Sequence, residues 1–199
     1  MGRRRRPKDV EAVALWPGAG SSADHPSLVA LGESLDVPVF RVDFPYRREG
    51  RRAPDRAPKL MVAVRDDVAR LVAEHAIDPR RLVIGGRSMG GRICSMVAAG
   101  ADGEPPLPVA GVLLLAYPLH PPAKPERLRT EHLGDLRVPT LFVCGDRDPF
   151  GTPDELAEAQ ALVAGPVTSV TVPGARHELA GADDVVIAAV RDWLGSPPR

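Results

Sequence analysis

Apolar and polar positions alternate along this chain in blocks that predict strands and helices in turn. Short apolar or β-branched runs bounded by turn residues are typical of buried strands. These runs cover residues 12–15, 37–42, 82–84, 109–116, 140–144 and 167–172. Six strands separated by helical segments predict an α/β fold, a core of about six mostly parallel strands with helices on both faces.

Apolar residues at helical spacing lie between these strands. The stripes are Leu28, Leu31 and Leu35 behind Pro26; Leu60, Val64, Val68, Leu71 and Val72; and Val186, Val190, Trp193 and Leu194. Thr152 and Glu155 form a capping-box pattern that predicts the start of another helix. Residues 118–136 contain four prolines, which predicts a loop with one short helix near 126–133 and no room for a large lid.

Length and composition predict a single domain over residues 9–195, preceded by a disordered basic arm at 1–8 and followed by a tail at 196–199. The chain has 199 residues, of which 44% are hydrophobic, enough for a substantial core. Lysine plus arginine equals aspartate plus glutamate, at 26 each. This balance predicts neither a nucleic-acid partner nor a membrane partner. The oligomeric state is not readable from the sequence.

The remaining composition predicts a cytoplasmic protein without a cofactor or metal. Cys94 and Cys144 lie in apolar runs and are expected to be buried free thiols, as in a reducing compartment. We find neither a signal peptide nor an apolar stretch of spanning length. No histidine or cysteine cluster has metal-ligand spacing, and Arg87 stands where a dinucleotide-binding fingerprint needs glycine.

The most informative motif is Gly-x-Ser-x-Gly at residues 86–90. It follows the apolar run 82–84 and precedes a helical pattern over 92–99. A strand-to-helix turn of this kind is the nucleophile elbow, which raises a serine hydroxyl above the edge of the sheet. Side chains at Gly86 and Gly90 would collide with the neighbouring strand and helix. The motif therefore predicts that Ser88 is a catalytic nucleophile.

A serine nucleophile needs a general base, and the base needs an orienting acid. His177 follows the last predicted strand and is the predicted base, whereas the other four histidines lie in connectors or in the helix before the elbow strand. Asp146 and Asp148 both follow the strand 140–144. Asp148 lies deeper in the loop and is the predicted acid, and Asp146 is expected to brace the turn.

The negatively charged oxygen that forms during acyl transfer needs two preorganised donors. One is predicted to be the backbone N–H of Met89, directly after the nucleophile. The other is expected in the loop over residues 16–22, after the first strand. Proline has no N–H, which excludes Pro17 and leaves Ala19 as the predicted donor, with Gly20 as the alternative.

Taken together, these residues resemble the α/β-hydrolase superfamily over almost the whole chain, as a lidless minimal core. A closer resemblance is to the branch that includes the testis-expressed hydrolase-like protein and the hydrolase-like domain of the third subunit of the NSL chromatin-regulatory complex. The segments 18–20, 40–54 and 85–92 carry this resemblance. Dienelactone-hydrolase-like enzymes are similar at a greater distance. The resemblance implies a serine hydrolase fold, although the chromatin-associated relative resembles a scaffold.

Two hypotheses about function follow. The first is a serine hydrolase, carboxylesterase- or thioesterase-like, that cleaves an ester, thioester or small amide of a small-molecule acyl substrate. The second is a non-catalytic interaction module that binds a partner through its arginine-rich loop, residues 47–56. That loop is interpreted either as a selector of acidic substrates or partners, or as a solvated face bridged to Glu49 and Asp55. Arg92 is expected to pair with an acid of this loop.

Overall fold

A computed structural model describes residues 9–195, in which strands and helices alternate. The strands are β1 (Ala12–Trp16), β2 (Val39–Arg41), β3 (Leu82–Arg87), β4 (Gly111–Leu115), β5 (Thr140–Gly145) and β6 (Val167–Val172). The α-helices are α1 (Pro26–Ser34), α2 (Pro45–Arg48), α3 (Ala57–His75), α4 (Met89–Ala99), α5 (Pro153–Ala161) and α6 (Asp183–Leu194). The expectations for 1–8 and 196–199 lie outside the described residues. Over 9–195, no helix has both the length and the apolar character needed to cross a membrane.

The six strands form one sheet in the order β2-β1-β3-β4-β5-β6, and every neighbouring pair is parallel. The predicted α/β fold is therefore confirmed. Because all strands run the same way, the loops after β1, β3, β5 and β6 leave the sheet at one edge. This shared edge places loops that are distant in sequence beside one another.

The sheet has a hydrophobic core on each face. On one face, Ala14, Ile84 and Leu114 pack with residues of α3, α4 and α5. On the other face, Leu15 and Leu113 pack with α1 and α6. The strand residues alternate between the two cores, as successive side chains of a strand must. Both faces are thus covered by helices, as the sequence predicts.

The segment between β4 and β5 is an irregular connection, and the short helix predicted near 126–133 is wrong. A single 3₁₀ turn over Leu133–Asp135 forms there instead. The segment is organised by side chains, since the Tyr117 hydroxyl donates to the carbonyl of Arg129 and the Arg129 guanidinium donates to Pro118 O at 3.0 Å. No lid covers the sheet edge within the described part of the chain.

His132 attaches this connection to α4. Its Nε2 lies 2.8 Å from the hydroxyl of Ser95, which in turn donates to the carbonyl of Arg92 at 2.8 Å. Ser95 and His132 are both buried. Burial, and next the nearby charge of Arg92, lower the pKa of His132 from 6.5 to about 4. The imidazole is therefore neutral in the folded protein at neutral pH.

We expect His132 to make folding stability depend on pH between about 6.5 and about 4. In that window the unfolded chain protonates His132 and the folded chain does not, so stability falls as the pH falls. The loss from this residue should be about 2 kcal/mol between pH 7 and pH 5. Urea unfolding of wild type and His132→Asn at both pH values measures it. An equal pH dependence in the two proteins would contradict the assignment.

Candidate active site

Ser88 occupies a strained turn between β3 and α4. Its φ of 50° lies in the left-handed region that a residue with a side chain rarely adopts. A Cβ on Gly86 would lie 2.0 Å from Trp16 O, and a Cβ on Gly90 would lie 2.2 Å from the same oxygen. Only glycine permits this close approach of β1, β3 and α4. The elbow predicted from residues 86–90 is present.

Three predicted site residues meet at the sheet edge. Ser88 follows β3, Asp148 follows β5, and His177 follows β6. His177 Nε2 lies 2.8 Å from Ser88 Oγ, and Nδ1 lies 2.7 Å from Asp148 Oδ2. Both His177 and Asp148 are buried. The structure thus joins residues that are 89 and 29 positions apart along the chain.

The carboxylate of Asp148 sets the tautomer of this imidazole. An ionised carboxylate only accepts hydrogen bonds, so Nδ1 carries the proton and Nε2 is free to accept one from the Ser88 hydroxyl. The second oxygen, Oδ1, accepts the backbone N–H of Phe150 at 2.9 Å. Two donors therefore fix the orientation of this side chain.

Asp146 has a different position. Its Oδ1 accepts the backbone N–H of Gly174 at 2.7 Å, and its side chain is exposed. This bond ties the loop after β5 to the loop after β6. The arrangement matches the bracing role expected from the sequence and leaves Asp148 as the carboxylate on the imidazole.

Two residues that support His177 were not identified from the sequence. Phe150 stacks on the imidazole with ring centroids 4.1 Å apart and an interplanar angle of 28°. Arg87 is buried at the end of β3 and donates from Nη2 to the carbonyl of His177 at 3.1 Å. Phe150 therefore restrains the ring plane, and Arg87 restrains the backbone that carries the ring. Neither residue shows a local pattern that would reveal its role.

The two predicted oxyanion donors lie beside Ser88. Met89 begins α4, and the first amides of a helix have no acceptor within it. Ala19 shares a cavity with Ser88 and Met89, whereas Gly20 is exposed. The carbonyl of Ala19 accepts the buried Tyr46 hydroxyl at 2.9 Å, which anchors this loop. This placement favours Ala19 over Gly20.

An open cavity of about 330 Å³ reaches Ser88. The apolar part of its wall includes Leu60, Ile93, Pro118 and Phe150. Its charged lining residues are Asp55, Arg92 and Arg129. The volume suits a small molecule, and the lining combines an apolar wall with a few charged groups, as in ligand sites generally.

The arginine-rich loop is bridged by its own acids. Arg51 lies 2.7 Å from Glu49 and 3.0 Å from Asp55 within the loop, whereas Arg48 pairs with Asp67 of α3 at 3.1 Å. The expected pairing of Arg92 with an acid of this loop is wrong. Asp55 pairs instead with Arg51 at 3.0 Å and with Lys59 at 3.2 Å.

Several solved structures share this fold. An α/β serine hydrolase homologue from Coxiella burnetii matches with a TM-score of 0.71 at 20% identity, covering 94% of this chain and 88% of that chain. A dienelactone hydrolase from Anabaena variabilis gives 0.71 at 20% identity, covering 96% and 88%. The type II thioesterase BorB from the borrelidin biosynthetic cluster gives 0.66 at 20% identity, covering 100% and 97%. At these identities the likeness establishes the fold.

The family follows from the sequence match. A family model described as an alpha/beta hydrolase domain matches residues 9–184, which include the elbow and the loops after β5 and β6. The match covers most of the chain and agrees with the parallel sheet and the strand-to-helix turn at Ser88. The chain belongs to the α/β-hydrolase family.

Proposed function

We propose that this protein is a serine hydrolase that cleaves an ester, thioester or small amide through an acyl-enzyme. One observation carries the proposal: the imidazole of His177 lies within hydrogen-bond distance of both Ser88 Oγ and Asp148 Oδ2, at 2.8 and 2.7 Å. A nucleophile, a base and an orienting acid in this relation are the parts that acyl transfer requires.

Acylation begins when His177 Nε2 accepts the proton of the Ser88 hydroxyl. The Oγ then bonds to the carbonyl carbon of the substrate, and the backbone N–H groups of Met89 and Ala19 bind the resulting oxyanion. When the tetrahedral intermediate collapses, the bond to the leaving group breaks. The imidazolium donates its proton to the departing alcohol, thiol or amine. Asp148 stabilises that imidazolium throughout.

Deacylation repeats these steps with water as the nucleophile. His177 removes a proton from water, the hydroxide attacks the acyl carbon, and the bond to Ser88 Oγ breaks. The proton returns from the imidazolium to the serine oxygen, which restores the free enzyme. The open cavity of about 330 Å³ beside Ser88 supports both a small acyl substrate and the entry of this water.

Three further elements belong to the proposal. Within the family, the segment over 40–54 supports a place near the branch with the testis-expressed and NSL-complex hydrolase-like proteins. The similarity to a dienelactone hydrolase and a thioesterase supports carboxylesterase- or thioesterase-like chemistry. The free thiols of Cys94 and Cys144 support a cytoplasmic location.

A panel of small acyl substrates tests the proposed function. We expect turnover of p-nitrophenyl acetate and of the neutral thioester S-phenyl thioacetate, and slower turnover of p-nitroacetanilide, because the anilide carries the poorest leaving group. Steady-state rates at pH 7 to 8, with circular dichroism to verify folding, provide the measurement. A folded protein that turns over none of the three classes would contradict the proposal and favour the non-catalytic module.

A further inference from the structure

Two arginines line the cavity beside Ser88. Arg92 comes from α4 and Arg129 from the connection between β4 and β5. Burial, and next the positive charge of Arg92, lower the pKa of Arg129, so the two cations are close enough to interact. Two like charges held together in a partly buried cavity repel one another unless an anion lies between them.

Within residues 9–195, no carboxylate forms an ion pair with either arginine. Arg129 donates to the carbonyl of Pro118, which is a neutral acceptor. Glu131 is the acidic group near Arg129, and its side chain is exposed rather than paired with it. The acidic residue in the cavity, Asp55, is already engaged by Arg51 and Lys59. The cavity therefore retains an excess of positive charge.

Arg92 also has an unsatisfied donor. Its Nε is fully buried and has no hydrogen-bond acceptor in the described structure. Leaving a buried donor unpaired costs about 1 to 3 kcal/mol, and more for a charged group, so a bound acceptor at this position would be stabilised. A guanidinium fork matches the geometry of a carboxylate or phosphate, which accepts two parallel N–H bonds.

We propose that Arg92 and Arg129 bind an anionic group of the substrate, so that the enzyme acts on acyl compounds that carry a carboxylate or a phosphate. This inference rests on the proposed function, because it places the charged end of the substrate relative to Ser88. The arginines are specificity-determining residues. Their guanidinium groups bind the anionic group of the substrate while the substrate's carbonyl carbon lies next to Ser88.

The position of Arg92 limits the length of such a substrate. Its backbone N–H donates to the carbonyl of Ser88 at 3.0 Å, and four residues at the helical rise correspond to about 6 Å along the axis. A charged group bound by Arg92 is then separated from the reacting carbonyl by a chain of a few carbons. That length is compatible with the cavity volume of about 330 Å³. A half-ester of a short dicarboxylic acid has these properties.

Two matched esters test the inference. Mono-p-nitrophenyl adipate and p-nitrophenyl hexanoate have acyl chains of equal carbon number and differ in one terminal carboxylate. Charge-assisted hydrogen bonds of the usual strength predict a kcat/KM for the adipate that is at least about 10-fold higher, after subtraction of the uncatalysed rate. The preference should shrink with added salt. Equal values, or a preference for the hexanoate, would overturn the inference.

Substitutions assign the preference to these side chains. In Arg92→Met and in Arg129→Met, the ratio of kcat/KM for adipate over hexanoate should fall about 10-fold. Arg92→Lys keeps the positive charge and should retain part of the adipate preference. It therefore provides a second test if Arg92→Met does not fold. Arg127→Met is the matched control, since Arg127 is an exposed arginine of the same connection. A ratio that falls as much in this control would contradict the assignment.

Binding measurements separate this inference from the proposed function and distinguish the two anions. Titration calorimetry of Ser88→Ala with adipate and with inorganic phosphate requires no catalysis. Binding that weakens in the Ser88→Ala/Arg92→Met double variant supports the anion site even if no ester is hydrolysed. The stronger of the two ligands identifies carboxylate or phosphate as the recognised group. Turnover of the neutral hexanoate, together with no binding of either anion, would overturn the inference and leave the hydrolase intact.

Discussion

Ser88→Ala is expected to lower kcat/KM for the best ester of the panel by about 10⁴-fold or more, the range found when the nucleophile of a catalytic triad is removed. The physical reason is that alanine has no oxygen to form the acyl-enzyme. The imidazole of His177 would then face a methyl group instead of the hydroxyl now 2.8 Å from its Nε2. Initial rates with purified variant and wild type provide the measurement.

Ser169→Ala is the control for this substitution. Ser169 is exposed on β6, away from the cavity, and its loss should leave the rates within about two-fold, as is usual for surface substitutions. If Ser88→Ala retained the wild-type rate while folding normally, another residue would have to be the nucleophile.

Asp148→Asn is expected to lower kcat by about 10⁴-fold while preserving the fold. The side-chain shape is conserved, so the contact with the backbone N–H of Phe150 can be kept by the amide oxygen. The amide nitrogen then faces Nδ1 of His177 as a donor, and the imidazole places its proton on Nε2. In that tautomer His177 cannot accept the proton of Ser88.

Asp146→Asn distinguishes this effect from a general disturbance of the loop after β5. The Asp146 carboxylate accepts the N–H of Gly174, and an asparagine oxygen can accept it as well. We therefore expect a change of less than about three-fold in kcat, equivalent to less than about 0.7 kcal/mol. Equal losses in the two variants would contradict the assignment of Asp148 as the acid.

The positions of the strands and of the elbow were predictable because local signals define them. A short apolar run such as 140–144 is typical of a buried strand, and β5 indeed covers Thr140–Gly145. Gly86 and Gly90 mark the elbow in the sequence, and the structure shows the reason, since a Cβ at either position would lie within 2.2 Å of Trp16 O. The ends of β2 and β4 were predicted one or two residues too long, because periodicity does not mark where pairing stops.

The arrangement of Ser88, Asp148 and His177 was predictable for a topological reason. Parallel strands end at the same edge, so residues just after β3, β5 and β6 can meet there whatever the length of chain between them. The choice between Asp146 and Asp148 was harder, because both follow β5. The prediction of Asp148 as the acid rested on its position further into the loop after β5 than Asp146.

The cavity wall was not predictable, since loop conformations decide it. The stacking of Phe150 on His177 depends on how the loop after β5 folds, and the proximity of Arg129 to Arg92 depends on the long connection between β4 and β5. The helical pattern near 126–133 was overridden by side-chain bonds from Tyr117 and Arg129 to backbone carbonyls. The expected pairing of Arg92 with an acid of the arginine-rich loop does not form, because Asp55 of that loop already pairs with Arg51 and Lys59.

Labelling with a fluorophosphonate probe, followed by mass spectrometry of the modified peptide, tests the central claim most directly. Such probes react with a serine only where a base activates it and donors stabilise the adduct. We predict a single phosphonylated residue, Ser88, with labelling abolished in Ser88→Ala and strongly slowed in His177→Ala. Folded wild-type protein that remains unlabelled at high probe concentration, or that is labelled at another serine, would contradict the account.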